Sequence, residues 1–151
     1  MASFQLCSDL HLEMRGGLNA GTDAYPKRNA PILVIAGDLY AAGAPEFKEI
    51  LRRASEPYDL TLYIPGNHEF YGCKGDMKSM EKMIADKANS LDRVFCLNQK
   101  SLDVGGITFI GATMWTNLPK DMWGSALGMF NDYSSIKQAD GRPFTPEMLC
   151  S

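Results

Sequence analysis

Histidine is the scarcest functional side chain in this 151-residue chain: there are two, against 18 acidic and 15 basic residues. A two-metal hydrolytic centre wants several imidazoles, so any metal chemistry here must run on a short ligand set. The four cysteines, Cys7, Cys73, Cys96 and Cys150, show neither CxxC spacing nor a paired framework. That excludes a disulfide scaffold and points to reduced thiols in a cytoplasmic protein. Long apolar runs are missing too. The longest, around Ile32 to Ala36, is far too short to span a bilayer, and no basic segment leading into an apolar stretch opens the chain. With a net charge of −3 and no face-length cluster of Lys and Arg, unaided or sequence-specific nucleic-acid binding is excluded. There is no internal repeat and no low-complexity tract.

What remains is ordinary globular material. An apolar content of 45% and a charged content of 22% fit one domain over residues 1–151. Phe4-Gln5-Leu6-Cys7 alternates and runs into Ser8-Asp9, a short strand that delivers Asp9 at its C-terminal end. Residues 13 to 30, rich in Gly, Asn, Asp and Lys, read as a loop. Ile32 to Ala36 is a continuous, β-branched-rich run closed by Gly37-Asp38, the pattern of a strand buried on both faces. From Pro45 to about Glu56, Phe47, Ile50 and Leu51 share a helical stripe, and Leu60 to Ile64 then forms a strand broken by Pro65-Gly66. This is βαβ order.

A second helix is predicted over about Asp76 to Ser90, with Met77, Met80, Met83 and Ile84 recurring near helical spacing; the methionines read as core filler. Val94 to Leu97, Ser101 to Val104 and Ile107 to Ile110 are three short strands, the last two joined by the hairpin turn Gly105-Gly106. An aromatic loop follows, with Trp115, Trp123, Phe130 and Tyr133 covering a core edge. Thr145-Pro146-Glu147 opens a last helix, after which only four residues follow. The chain is therefore expected to stop inside an element, with residues from about Asp140 onward frayed.

Three runs place ligands where an apolar stretch gives way to a loop: Ser8-Asp9-Leu10-His11, Gly37-Asp38 and Gly66-Asn67-His68-Glu69. On extended backbone, positions i and i+2 project to one side, so Asp9 and His11 grip one ion while Leu10 packs behind them. Asp38 has two carboxylate oxygens with which to touch two ions, and Asn67 offers a neutral carbonyl oxygen. His68 faces elsewhere as an acid or base, with Glu69 placed to orient its imidazole. Together these residues describe a two-metal hydrolase with ions about 3.5–4 Å apart, a metal-bound hydroxide as nucleophile, and His68 protonating the departing alkoxide. Mixed oxygen and imidazole ligation suits one or two divalent ions of Mn, Fe, Zn or Ni. Glu13 and Asp132 read as solvated or loop-capping carboxylates, and Cys96 and Cys150 as structural thiols.

In order and spacing, these three runs resemble the calcineurin-like metallophosphoesterase superfamily. The later Gly111-Ala112-Thr113-Met114-Trp115-Thr116 and Asn131-Asp132-Tyr133-Ser134-Ser135-Ile136 are similar to its bacterial and phage branch of predicted phosphohydrolases. The resemblance implies an α/β fold, the N-terminal portion of an α/β/β/α sandwich with a mixed central sheet and its site at the C-terminal ends of the strands. It also implies that Asp9 and His11 serve a first metal, that Asp38 bridges, that Asn67 meets a second metal, and that His68 is catalytic. The family's later His and its Gly-His-x-His motif have no counterpart among the two histidines present, so the domain is expected to be incomplete and its activity curtailed. The expected partners are a phosphorylated substrate and a homo-oligomeric copy or second chain that completes the site. The alternative function is a non-catalytic, truncated metal-binding or interaction module.

Overall fold

The computed structural model describes residues 2–149. Strands β1 (Phe4–Cys7), β2 (Ile32–Ala36), β3 (Leu60–Ile64) and β4 (Val94–Cys96) form one sheet in the order β1-β2-β3-β4, every pair parallel. Helix α1 (Phe47–Ser55) connects β2 to β3, and α2 (Met77–Asn89) connects β3 to β4. Asp76 caps α2, its carboxylate accepting from the Ser79 N–H at 2.9 Å.

The alternation of strand side chains sorts the core into two layers. Leu33, Ile35, Tyr63, Val94 and Cys96 pack with Phe47, Ile50, Leu51 and Ala54 of α1 and with Met80, Ile84 and Ala88 of α2. Ile32, Val34, Leu62 and Leu97 face the other way. There they meet Leu102 of β5 (Lys100–Val104) and Phe109 of β6 (Ile107–Gly111), an antiparallel pair that forms its own sheet. Parallel and antiparallel pairing are thus divided between two stacked sheets. Gly105 (φ 58°) and Gly106 (φ 82°) both take the left-handed conformation that a two-residue hairpin turn demands.

The stretch read as a loop over 13 to 30 carries three short 3-10 turns, Leu12–Arg15, Gly17–Asn19 and Thr22–Ala24. Likewise the aromatic loop contains α3 (Trp123–Met129) and α4 (Asp132–Ser135), segments too short and too exposed to leave an apolar stripe in the sequence. The Trp115 ring lies 5.3 Å from that of Phe70, packed against the main core, and Tyr133 is buried. Cys7, Cys73 and Cys96 are free, with burial pushing the thiols of Cys7 and Cys96 up to about 11. Cys150 lies outside the described residues. No helix among the described residues is long and apolar enough to cross a membrane.

The expected fraying after Asp140 is not what the fold shows. Gln138 accepts from Gly141 and donates to the Arg142 carbonyl, turning the chain back so that the Phe144 N–H donates to the Ile136 carbonyl at 3.1 Å. Phe144 is 2% exposed in the main core, and α5 (Pro146–Leu149) follows it. An apolar anchor that deep outweighs the poor helix length. Phe144→Ala should lower the unfolding free energy in urea by about 3–5 kcal/mol; a change near zero would mean that the segment does not pack.

Candidate metal centre

Asp9, His11, Asp38, Asn67 and His68 each sit past the C-terminal end of a parallel strand, where the ladder has ended but the loops are still tied to one another. The Asp9 N–H donates to the Gly37 carbonyl (3.1 Å), the His11 N–H to the Asp38 carbonyl (2.9 Å) and the Leu12 N–H to the Leu39 carbonyl (3.0 Å). The loop after β1 is thereby zipped to the loop after β2.

The loop after β2 is tied in turn to the loop after β3 by Glu69, which is fully buried. Its Oε1 accepts from the Leu39 N–H at 2.8 Å; its Oε2 accepts from the Asp38 N–H at 3.0 Å and the Gly66 N–H at 2.7 Å. Burial pushes the Glu69 carboxyl above its ordinary value, while these backbone donors pull against the shift. The expectation that Glu69 orients the His68 imidazole is therefore corrected: its carboxylate is spent on backbone N–H groups. Gly66 is required here, because a Cβ on it would run into the Asp38 carboxylate.

Asp9, His11 and Asp38 converge. His11 Nε2 lies 4.0 Å from Asp9 Oδ1 and 3.9 Å from Asp38 Oδ2, too long for hydrogen bonds. Two ligands on one ion, each bonded at about 2.0–2.2 Å, stand at roughly 3–4 Å from each other, so the spacing suits a shared cation. The backbone is not extended as the Asp-x-His argument assumed. Asp9 (φ 53°), His11 (φ 43°) and Asp38 (φ 56°) all lie in the left-handed region, three of the five described non-glycine residues that do. It is this shared conformation, and not strand alternation, that brings Asp9 and His11 side by side; such strain gathers at functional sites.

The remaining residues arrive from the loop after β3. The His68 ring packs 4.3 Å from the His11 ring and stacks on Tyr71 at 4.4 Å, and the His68 N–H donates to Asp38 Oδ1 at 3.0 Å. Asn67 turns its amide nitrogen to Asp132 Oδ1 (2.6 Å) and to the Tyr71 hydroxyl (3.1 Å). That leaves its carbonyl oxygen as the atom that can ligate. Burial and the Asp132 carboxylate raise the Tyr71 hydroxyl, which donates to Asp132 at 2.8 Å. Asp132, read from sequence as a solvated or loop-capping carboxylate, is the clamp that orients Asn67.

Glu13 was read the same way, and it too belongs to the site. Its Oε1 lies 3.1 Å from His68 Nδ1 and 3.4 Å from His11 Nδ1. The one sequence signal was its i+2 spacing from His11 in Asp9-Leu10-His11-Leu12-Glu13. Asp9, Glu13 and Asp38 thus surround two imidazoles, and among the described residues the Lys and Arg ion pairs all go to other acids. Carboxylates and an imidazole converging with no cationic side chain make a donor set that suits a cation. On charge and donor chemistry the site fits a divalent ion. Beside it, a cleft of about 420 Å³ is lined by Asn67, Thr113, Trp115, Phe130, Asp132 and Tyr133 among others.

The profile of the calcineurin-like phosphoesterase family matches residues 3–143. An uncharacterized protein of Acanthamoeba polyphaga mimivirus is 26% identical over 155 aligned positions, which take in 96% of this chain and 55% of the viral protein. Among solved structures, a phosphopantetheinyl hydrolase from Mycobacterium tuberculosis aligns with 97% of this chain and 56% of its own, with a TM-score of 0.55 and 16% identity, a likeness of fold. The chain spans about half the length of both.

The tie through Glu69 is open to direct test. Glu69→Ala removes the acceptor of the Asp38, Leu39, Tyr40 and Gly66 N–H groups at a cost of about 1–3 kcal/mol for each one left buried, so urea unfolding should shift by several kcal/mol, and exchange of the Asp38 and Leu39 amides should accelerate. Unchanged stability with both amides still protected would show that the loops are held by something else.

Proposed function

The chain belongs to the calcineurin-like phosphoesterase family, and from that premise we propose that it hydrolyses a phosphate ester using divalent metal ions. Asp9, His11 and Asp38 hold one ion, Asn67 and Asp38 meet a second, and His68 is the proton donor. The observation that carries this reading is the approach of Asp9 Oδ1 and Asp38 Oδ2 to His11 Nε2 at 4.0 and 3.9 Å, on three residues all held in the left-handed conformation. Mn²⁺, Fe²⁺, Zn²⁺ and Ni²⁺ all suit such donors. When bound, a divalent ion supplies positive charge to the phosphoryl oxygens and lowers the pKa of water.

The chain's own residues do the rest. The His68 N–H fixes Asp38 through Oδ1, leaving Oδ2 toward His11. Asp132 and Tyr71 hold the Asn67 amide so that its oxygen is presented, adding a ligand without adding charge. With Nδ1 occupied by Glu13, His68 has Nε2 left to give a proton to the departing alkoxide. The substrate is a phosphorylated molecule whose leaving group lies in the cleft beside Asn67, and the setting is cytoplasmic.

A second reading, a metal-binding module without turnover, is favoured by one observation: the second ion would find few donors beyond Asp38 and Asn67 among the described residues. Further donors would then come from a second copy or another chain. Hydrolysis of phenyl phosphate and p-nitrophenyl phosphate with Mn²⁺ separates the readings. Turnover abolished by a chelator and restored by Mn²⁺ is expected. His68→Gln should lower kcat on phenyl phosphate by about 10²–10⁴-fold with bound metal unchanged, and by less on the nitrophenyl ester, whose leaving group needs no proton. Equal losses on both esters would contradict the role of His68, and no turnover by the metal-loaded chain would favour the second reading.

A further inference from the structure

We propose that Glu13 is a positioning residue that keeps Nδ1 of both imidazoles protonated, and so leaves the Nε2 atoms to do the work: His11 Nε2 as the lone pair for the ion, and His68 Nε2 as the atom through which a proton passes to the leaving group. The role of these Nε2 atoms rests on the phosphoesterase reading above; the tautomers do not. A neutral imidazole has one N–H, and which nitrogen carries it is decided by the hydrogen bond available. Glu13 Oε1 stands 3.1 Å from His68 Nδ1 and 3.4 Å from His11 Nδ1. An ionised carboxylate only accepts, so each Nδ1 facing it must donate. One carboxylate oxygen has two lone pairs, enough for both rings.

The surroundings leave Glu13 little else to do. Its Oε2 is buried with no hydrogen-bond partner, and among the described residues no Lys or Arg pairs with it. A buried acceptor without a partner is costly, and the two ring Nδ1 atoms are the donors within reach of the other carboxylate oxygen. The rings cannot turn away easily, because His68 is packed between His11 at 4.3 Å and Tyr71 at 4.4 Å. On the far side of His11, Nε2 faces Asp9 and Asp38 at distances too long for it to be donating to either. That is the state expected of an unprotonated ligand nitrogen. A carboxylate behind a ligating histidine raises its basicity and fixes its orientation, and losing such a partner costs about 10–100-fold in metal affinity.

The chain contains two histidines, so its imidazole nitrogen spectrum holds two spin systems. Long-range proton–nitrogen correlation on the metal-free chain reads which nitrogen carries the proton in each neutral ring. Nδ1–H is expected for both His11 and His68, the reverse of what free histidine prefers. In Glu13→Met, which keeps bulk and removes the acceptor, both rings should revert toward Nε2–H while the amide spectrum of the sheet is unchanged; Glu13→Ala serves as a second variant. The Kd for Mn²⁺, measured by titration calorimetry, should rise about 10–100-fold. Nε2–H as the major form in the unsubstituted chain, or tautomers and Mn²⁺ affinity unmoved in both folded variants, would overturn the proposal. Nδ1–H tautomers lost on substitution in a chain that binds Mn²⁺ but hydrolyses no ester would uphold Glu13 and refute the phosphoesterase reading alone.

Discussion

A buried carboxylate holds the site together. Glu69 sits in the core with both oxygens spent on backbone N–H groups, three from the loop after β2 and one from the loop after β3. A charge buried that deeply is tolerated because several donors converge on it. The consequence reaches past stability. The Asp38 N–H is one of those donors, so the same bond that satisfies Glu69 sets where the Asp38 side chain begins. From Asp38 the constraint passes to His11 through its carbonyl and to His68 through its carboxylate. The left-handed backbone at Asp9, His11 and Asp38 persists because the surrounding bonds leave it no alternative.

The acids around this keystone divide by what they touch. Glu69 bonds the backbone of two loops and is structural. Asp9 and Asp38 face an imidazole nitrogen across a gap wider than a hydrogen bond, and Glu13 and Asp132 hold the neighbours that would meet an ion or a substrate. Asp9, Glu13 and Asp38 around two imidazoles, with no Lys or Arg paired to them among the described residues, make surroundings that favour divalent cations. The fold shared with the phosphopantetheinyl hydrolase supplies the frame, four strand ends in register. The chemistry lies in the loops hung from it.

Much of the frame was legible in the sequence for a simple reason: two-sided burial leaves continuous apolar runs, and Ile32 to Ala36 and Leu60 to Ile64 could be little else. The hairpin was legible because Gly105-Gly106 meets a steric need that few other residues meet. Asp9, His11, Asp38, Asn67 and His68 stood out because each followed a run that reads as a strand. What stayed hidden depends on where a side chain points when the backbone leaves regular geometry. Left-handed conformations at Asp9 and His11 carry no periodic signal, so an argument from extended backbone reached the right neighbours by the wrong route. Glu13 and Asp132 looked like solvated acids because their partners lie 55 and 65 residues away in sequence. The short helices between Trp123 and Ser135 were missed since segments of seven and four residues leave no amphipathic stripe to count.

The central claim is that Asp9, His11 and Asp38 are ligands of one divalent ion. Crystals of the chain grown with Mn²⁺, measured for anomalous scattering at the manganese edge, test it without reference to any substrate. The account predicts a peak bonded to Asp9 Oδ1, His11 Nε2 and Asp38 Oδ2 at about 2.0–2.3 Å, with Glu69 still on its backbone donors. A folded chain in Mn²⁺ whose three side chains keep their separations around no anomalous peak, or whose peak lies away from them, would contradict it.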